Sequence, residues 1–170
     1  AMLEAEGVTD LKLNFVLVAG DSAHDQIGVL VKDQLAKIDV TVNLTKLEAG
    51  QQWDALVAGD YDIGVMWWVN DIFDPDQKAQ FCVSGDPENR SYYTNYKNPE
   101  VTRLVQEAAV ELDPAKRKAM YFDIQRLAKD DVHWIDLYYS PFRNASRATV
   151  SGFVQNPLGR YMLETAVKSE

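Results

Sequence analysis

The chain has 170 residues, of which 46% are apolar and 25% are charged, a composition typical of a folded globular protein. Its 26 acidic and 17 basic residues give a net charge of −9, which argues against nucleic acid and anionic membrane surfaces as partners. No apolar run reaches the roughly eighteen residues that a transmembrane helix needs.

The first seventy residues alternate between strand and helix patterns. Residues 11–17 alternate apolar and polar side chains and predict a half-buried strand. An apolar stripe at helical spacing then predicts an amphipathic helix, with members Ile27, Leu30, Val31, Leu35 and Ile38. Residues 40–44 predict a second strand, and a short second helix ends at Gly59. A continuous apolar run at 63–69 predicts a strand that is buried on both faces, which completes a β-α-β-α-β order with a largely parallel sheet.

The second half of the chain predicts mainly helices. Asn98-Pro99 and Asp113-Pro114 each combine an N-cap residue with a proline at the first helical position. The first of these helices carries an apolar stripe at Val101, Leu104, Val105, Ala108 and Leu112, and the second one at Tyr121, Ile124, Leu127 and Ala128. The alternating run at 135–139 predicts a further strand.

Polar side chains follow the predicted strand at 63–69 directly. Trp67 and Trp68 lie at its exit, and Asn70 and Asp71 come next. Ligands of open α/β sheets bind beyond the carboxyl ends of the strands, so this loop is the candidate site. Two indoles beside a carboxylate suit a small amphipathic ligand with a cation or hydrogen-bond donors.

Several motifs in this order resemble one family. They are Trp68-Val69-Asn70-Asp71, Asp74-Pro75, Tyr96-Lys97-Asn98-Pro99-Glu100-Val101, Arg117, Tyr121, Val150-Ser151-Gly152-Phe153 and Asn156-Pro157. Together they span nearly the whole chain and resemble the extracytoplasmic solute-binding proteins of peptide and nickel ABC importers, the family 5 solute-binding proteins. The resemblance implies an α/β lobe that is periplasmic-binding-protein-like (type II, cluster C), with additional C-terminal helices and strands. Residues 1–150 would be the C-terminal ligand-binding lobe, and 151–170 a segment that returns toward a missing first lobe.

The resemblance also implies a site and a function. In peptide-binding members the aspartate at the place of Asp71 pairs with the α-ammonium group of the ligand, and Trp68 stands three residues before it. We expect Trp67, Asn70 and Tyr93 to contribute further ligand contacts. The implied protein is a non-enzymatic receptor that hands an oligopeptide or dipeptide to a membrane permease. It is expected in the periplasm or outside the cell, membrane-associated through the transporter, and without a cofactor.

Other interpretations stay open at this point. Trp67 can serve as a stacking platform for a sugar ring, and the family also includes receptors for nickel complexes. A free-standing enzyme could use Asp71 and Asp74, although Asp74-Pro75 is more typical of a helix start. A calcium loop that begins at Asp71 is not supported, because Asp76 and Cys82 stand where glycine and glutamate are needed. We therefore expect no metal site.

Overall fold

The computed structural model describes residues 2–85 and 94–169 of the chain. It divides into two compact units, Ala1–Trp67 and Trp68–Glu170. The first unit contains α1 (Met2–Ala5), β1 (Lys12–Val18), α2 (Ser22–Ala36), β2 (Thr41–Leu47), α3 (Ala49–Ala58) and β3 (Ile63–Gly64). The second unit contains α4 (Pro75–Cys82), α5 (Pro99–Val110), α6 (Pro114–Asp130), β4 (Val150–Ser151), β5 (Val154–Gln155), β6 (Tyr161–Met162) and β7 (Val167–Lys168). None of the described helices is both long and apolar enough to cross a membrane.

The first unit is built on a parallel sheet with the strand order β2-β1-β3, which confirms the predicted β-α-β-α-β core. Phe15 of β1 lies opposite Leu44 of β2 and Ile63 of β3. Parallel neighbours need crossover connections, and α2 and α3 supply them. The first strand in the chain therefore lies in the middle of the sheet.

The central strand β1 is covered on both faces, so the prediction of a half-buried strand was wrong. Phe15, Val16 and Leu17 are only 1%, 1% and 0% exposed. Phe15 and Leu17 form a core cluster with apolar residues of α2, while Val16 points to the opposite face because side chains alternate along a strand. The central position in the sheet, which periodicity does not reveal, explains the difference.

The strand predicted at 63–69 is much shorter than expected. β3 comprises only Ile63–Gly64 and pairs with β1 alone among the described strands. Its residues are half-buried rather than buried, and Trp67 is 79% exposed. Gly64 permits close packing of α3, because a Cβ there would lie 2.7 Å from Leu56 Cδ2. The apolar run thus predicted where the strand begins but not where it ends.

The helices of the first unit begin and end near their predicted positions. Asp21 caps α2 by accepting hydrogen bonds from the backbone of Ala23 and His24. Gly59 ends α3 in the left-handed region, at φ 72°, as the sequence predicted. The predicted apolar stripe of α2 is narrower in the structure, since Leu30 and Ile38 are exposed.

Three capped helices form the core of the second unit. Asn98 and Asp113 cap α5 and α6, each followed by proline at the first helical position, which confirms both predicted helix starts. Their core cluster contains Ala79, Val101, Leu104, Val105, Ala108, Tyr121 and Ile124. Leu112 is 93% exposed, contrary to its predicted place in the stripe of α5. The helix ends at Val110 because Asp113 and Pro114 start the next helix and favour extended backbone before the proline.

The part of the second unit after α6 contains two small antiparallel pairs, β4 with β7 and β5 with β6. The strand predicted at 135–139 is not formed in the described structure, and Ile135, Leu137 and Tyr139 are exposed. An alternating pattern produces a strand only where a neighbour supplies the ladder of backbone hydrogen bonds. No described strand of the second unit pairs with this segment.

Candidate functional site

The candidate site is the acidic loop, residues 68–74, which immediately precedes α4. Asp74 ends the loop with extended backbone and accepts a hydrogen bond of 2.8 Å from the backbone N–H of Asp76. Pro75 then occupies the first helical position. Asp74 is therefore a helix cap, as the Asp-Pro pair predicted, and α4 fixes one end of the loop.

Asp71 lies in the middle of this loop with its side chain 69% exposed. Its backbone N–H donates to Gln77 Oε1 at 2.6 Å, and Gln77 Nε2 donates back to Asp71 Oδ2 at 2.9 Å. The other carboxylate oxygen, Oδ1, is 3.4 Å from Nη2 of Arg160. Gln77 thus holds both the backbone and the carboxylate of Asp71, with one hydrogen bond to each, and leaves the carboxylate accessible to a cationic group.

Trp68 is held within the same loop. Its indole Nε1 donates to Asn70 Oδ1 at 2.7 Å, and Asn70 Nδ2 donates to the carbonyl oxygen of Asp74 at 2.9 Å. The indole also stacks on Phe81 of α4, with ring centroids 5.7 Å apart and planes inclined by 23°. The ring is half-buried and keeps part of its surface exposed.

The structure brings together three of the five residues predicted for the site, Trp68, Asn70 and Asp71. Trp67 is the last residue of the first unit and is strongly exposed, so its indole offers a flat apolar surface. Tyr93 lies outside the described residues. Since Trp68 is only half-buried and Trp67 is exposed, neither indole belongs to the buried core.

Three polar residues that hold the loop had no role predicted from the sequence. Gln77 brackets Asp71, Arg160 approaches it, and Arg117 of α6 binds Asp74 through two parallel contacts of 2.9 and 3.1 Å. A glutamine in the first turn after a capping aspartate is a weak signal. The pairing of Arg160 with Asp71 and of Arg117 with Asp74 left no local signal, since the arginines follow these partners by 89 and 43 residues.

The electrostatics of Asp74 differ from those of an exposed carboxylate. The hydrogen bond from Arg117 holds the pKa of Asp74 below its ordinary value. The Tyr121 hydroxyl donates to Asp76 Oδ1 at 3.0 Å, and burial raises the pKa of that hydroxyl. Asp74 is thus an ionised structural group paired with a guanidinium, which leaves it poorly suited to act as an acid or base with Asp71.

Metal and nucleophilic chemistry find little support in the described residues. They include no group of three or more His, Cys, Asp or Glu side chains placed to hold a metal ion. Cys82 is buried, and burial raises the pKa of its thiol to about 11. The thiolate is the nucleophilic form, so both the burial and the raised pKa of Cys82 disfavour its use as a nucleophile.

The second unit contains two open depressions whose lining does not include Asp71. One, of about 440 Å³, is lined by residues between Phe142 and Pro157, and the other, of about 470 Å³, by residues between Pro75 and Gln125. Neither is lined by the predicted site residues. The candidate site is an exposed loop with oriented polar groups, and it lies outside both depressions.

Comparison with known proteins gives a consistent result. The sequence model described as bacterial extracellular solute-binding proteins, family 5 Middle, matches residues 1–90, more than half of the chain. The probable D,D-dipeptide-binding periplasmic protein DdpA of Escherichia coli is 30% identical over 86% of this chain and 28% of its own length. Di/tripeptide-binding protein 2 of Pseudomonas aeruginosa is 28% identical over 93% of this chain and 31% of its own length. The chain thus spans about 30% of the length of these relatives.

Solved structures show the same fold. The substrate-binding domain of an oligopeptide ABC transporter from Bacillus anthracis matches with a TM-score of 0.84 at 22% identity, over 99% of this chain and 33% of its own. The oligopeptide-binding protein AppA of Bacillus subtilis, in complex with a nonapeptide, matches with a TM-score of 0.77 at 24% identity, over 94% of this chain and 32% of its own. These matches confirm the predicted periplasmic-binding-protein-like fold class.

Proposed function

The chain belongs to family 5 of the bacterial extracellular solute-binding proteins, and we propose that it is the ligand-binding lobe of a receptor that captures small peptides for an ABC importer. Residues 1–150 form the lobe in this proposal, and residues 151–170 lead toward a first lobe. The receptor works in the periplasm or on the outside of the cell and passes its ligand to a membrane permease. It is a binding protein rather than an enzyme.

The accessible carboxylate of Asp71 is the observation that carries the peptide proposal. Gln77 donates one hydrogen bond to it and accepts another from the Asp71 backbone, and more than half of the Asp71 side chain is open to solvent. An ammonium group that binds there forms a charge-assisted hydrogen bond, which strengthens as water is excluded. Relatives named for di- and tripeptides, a D,D-dipeptide and oligopeptides support a peptide as the ligand.

The neighbouring residues supply the remaining features of a peptide site. Trp68, fixed by Asn70 and Phe81, presents an indole face to the first side chain of the ligand. Trp67 adds exposed apolar surface, and Tyr93 is a further proposed contact. Closure of two lobes around the ligand would remove this surface and Asp71 from water.

Asp71→Asn tests the proposed ammonium pairing. The ¹⁵N-labelled chain is titrated with alanyl-alanine and with its N-acetylated form, and the indole Nε1–H signal of Trp68 reports binding. We expect the unmodified chain to prefer the free amine. The substitution should lower affinity for the free amine about tenfold to a hundredfold, since hydrogen bonds to charged groups contribute about 1.5–3 kcal/mol. Affinity for the acetylated peptide should stay unchanged.

Asp123→Asn is the matched control, because it removes the same charge from an exposed site on α6 of the same unit. It should leave both affinities unchanged. Equal losses for the two peptides in Asp71→Asn would remove Asp71 from the ammonium site. Tighter binding of the N-acetylated peptide than of the free amine by the unmodified chain would contradict the ammonium pairing on which the peptide proposal rests.

A further inference from the structure

We propose that Arg117 is a positioning residue for the acidic loop, which it holds in its binding geometry by acting through Asp74. The inference rests on the proposed function, because it assigns a role in binding to a residue that does not contact the predicted ammonium site. The claim that Arg117 fixes the geometry of residues 68–74 does not depend on peptide binding.

The guanidinium group of Arg117 binds Asp74 and is itself held by two further contacts. Nη2 and Nη1 contact the two carboxylate oxygens of Asp74 at 2.9 and 3.1 Å. Nε donates to the carbonyl oxygen of Ala108 in α5 at 3.0 Å, and Nη2 also donates to the Tyr121 hydroxyl at 3.1 Å. The guanidinium group therefore contacts α5 and α6 as well as the loop. Its position is set by the helical core of the second unit.

The ion pair is also less exposed than the other salt bridges formed by the described residues of this unit. The side chains of Arg117 and Asp74 are 26% and 36% exposed, whereas those of Arg103 and Glu100 are 50% and 54% exposed. Partial burial reduces screening by water and salt, so the pair keeps more of its interaction energy. A bidentate contact further restricts the orientation of the carboxylate.

Asp74 transmits this constraint to the predicted ligand contacts in two directions. Its carbonyl oxygen accepts the side-chain hydrogen bond of Asn70, which in turn accepts the indole N–H of Trp68. Its carboxylate caps α4 at the backbone N–H of Asp76. The first turn of α4 carries Gln77, which orients Asp71. Release of Asp74 therefore loosens both Trp68 and Asp71.

Lysine cannot replace Arg117 in this arrangement. A guanidinium is planar and presents several donors in a fixed fork, whereas an ammonium is a point charge on a flexible stem. Arg117→Lys keeps the charge but loses the bidentate contact with Asp74 and the bond to Ala108. Arg103→Lys is the matched control, since Arg103 makes comparable contacts with Glu100 and Glu107 on α5 and none with the loop among the described residues.

The experiment compares hydrogen exchange and peptide binding in the two lysine variants of the full chain. In Arg117→Lys we expect exchange of the Asp76 backbone N–H and the Trp68 indole N–H to accelerate at least about tenfold. Exchange at Val105 and Ile124 in the core should stay within about twofold, which separates loosening of the loop from global destabilisation. Affinity for alanyl-alanine should fall at least about threefold, and Arg103→Lys should change none of these values.

Unchanged exchange at Asp76 and Trp68 in Arg117→Lys would overturn the inference, as would equal acceleration at Val105 and Ile124. Faster exchange in the loop with unchanged peptide affinity would also overturn it, because the loop geometry would then not matter for binding. If the unmodified chain binds N-acetylated alanyl-alanine more tightly than the free amine, the proposed function fails, while the exchange rates still decide whether Arg117 holds the loop.

Discussion

Asp71 has a competitor for a ligand ammonium within its own chain. Nη2 of Arg160 lies 3.4 Å from Oδ1, and both side chains are more than half exposed. Pairs of this kind stabilise a protein by only about 0–1 kcal/mol. A ligand ammonium that takes the same oxygen would displace this arginine or share the carboxylate with it.

Arg160→Gln should therefore strengthen binding of free-amine peptides. Loss of a competing exposed pair, worth up to about 1 kcal/mol, predicts an increase in affinity of up to about fivefold for alanyl-alanine. Because salt screens such pairs, the gain should shrink as ionic strength rises. Titrations at low and high salt measure both effects.

Arg143→Gln is the control, because it removes the same charge in the same unit. A weaker affinity in Arg160→Gln would instead indicate that Arg160 contacts the ligand.

The predicted site residues were those that local sequence reveals. Trp68 and Asp71 stand out because a three-residue spacing follows an apolar run, and the structure places both in one loop with Asn70. Their ligand contacts stay predictions. Arg117 and Arg160 were not assigned because tertiary packing of the second unit brings them to the loop from distant positions. Periodicity and spacing carry no information about such partners.

At the scale of elements, helix starts were predicted well and strand lengths poorly. Asp74, Asn98 and Asp113 each cap a helix whose first residue is proline, and all the atoms involved lie within three residues in sequence. Strands depend on neighbours elsewhere in the chain. The run at 63–69 forms only a two-residue strand, and the alternating run at 135–139 forms none in the described structure.

The ion pair that joins α4 to α6 predicts a dependence of stability on acid. Since Arg117 lowers the pKa of folded Asp74, the unfolded chain binds the proton more readily, and stability rises with pH in that range. The contribution is present above the unfolded pKa of about 3.9 and is lost as pH falls through the lower folded value. We expect Asp74→Asn to be less stable than the unmodified chain at pH 7, and the difference to shrink below about pH 4.

Denaturation midpoints measured across this pH range test the prediction. The same comparison in an Arg117→Met background provides the control, because the difference due to Asp74 should there depend much less on pH. A difference that stays constant down to the lowest pH would show that the ionised pair does not stabilise the connection between α4 and α6.

At the scale of the whole molecule, net charge and exposed apolar surface have opposite effects on association between copies of the chain. The net charge of −9 keeps copies of the chain apart. Ile135, Leu137 and Tyr139 nevertheless lie exposed in a segment that pairs with no described strand of its unit. Neighbouring exposed apolar side chains of this kind favour association with another protein surface.

The chain should therefore self-associate, and more strongly as salt is added. At about 0.1 M salt the screening length is about 10 Å, which weakens repulsion between copies but leaves apolar contacts intact. Sedimentation velocity at low and high salt measures the association constant. Ile135→Ser should lower that constant about tenfold, the equivalent of roughly 1.4 kcal/mol of lost apolar burial. Leu112→Ser removes comparable exposed apolar surface outside the segment and should have little effect on the association constant. An equal effect of both substitutions would show that association depends on general surface hydrophobicity and not on this segment.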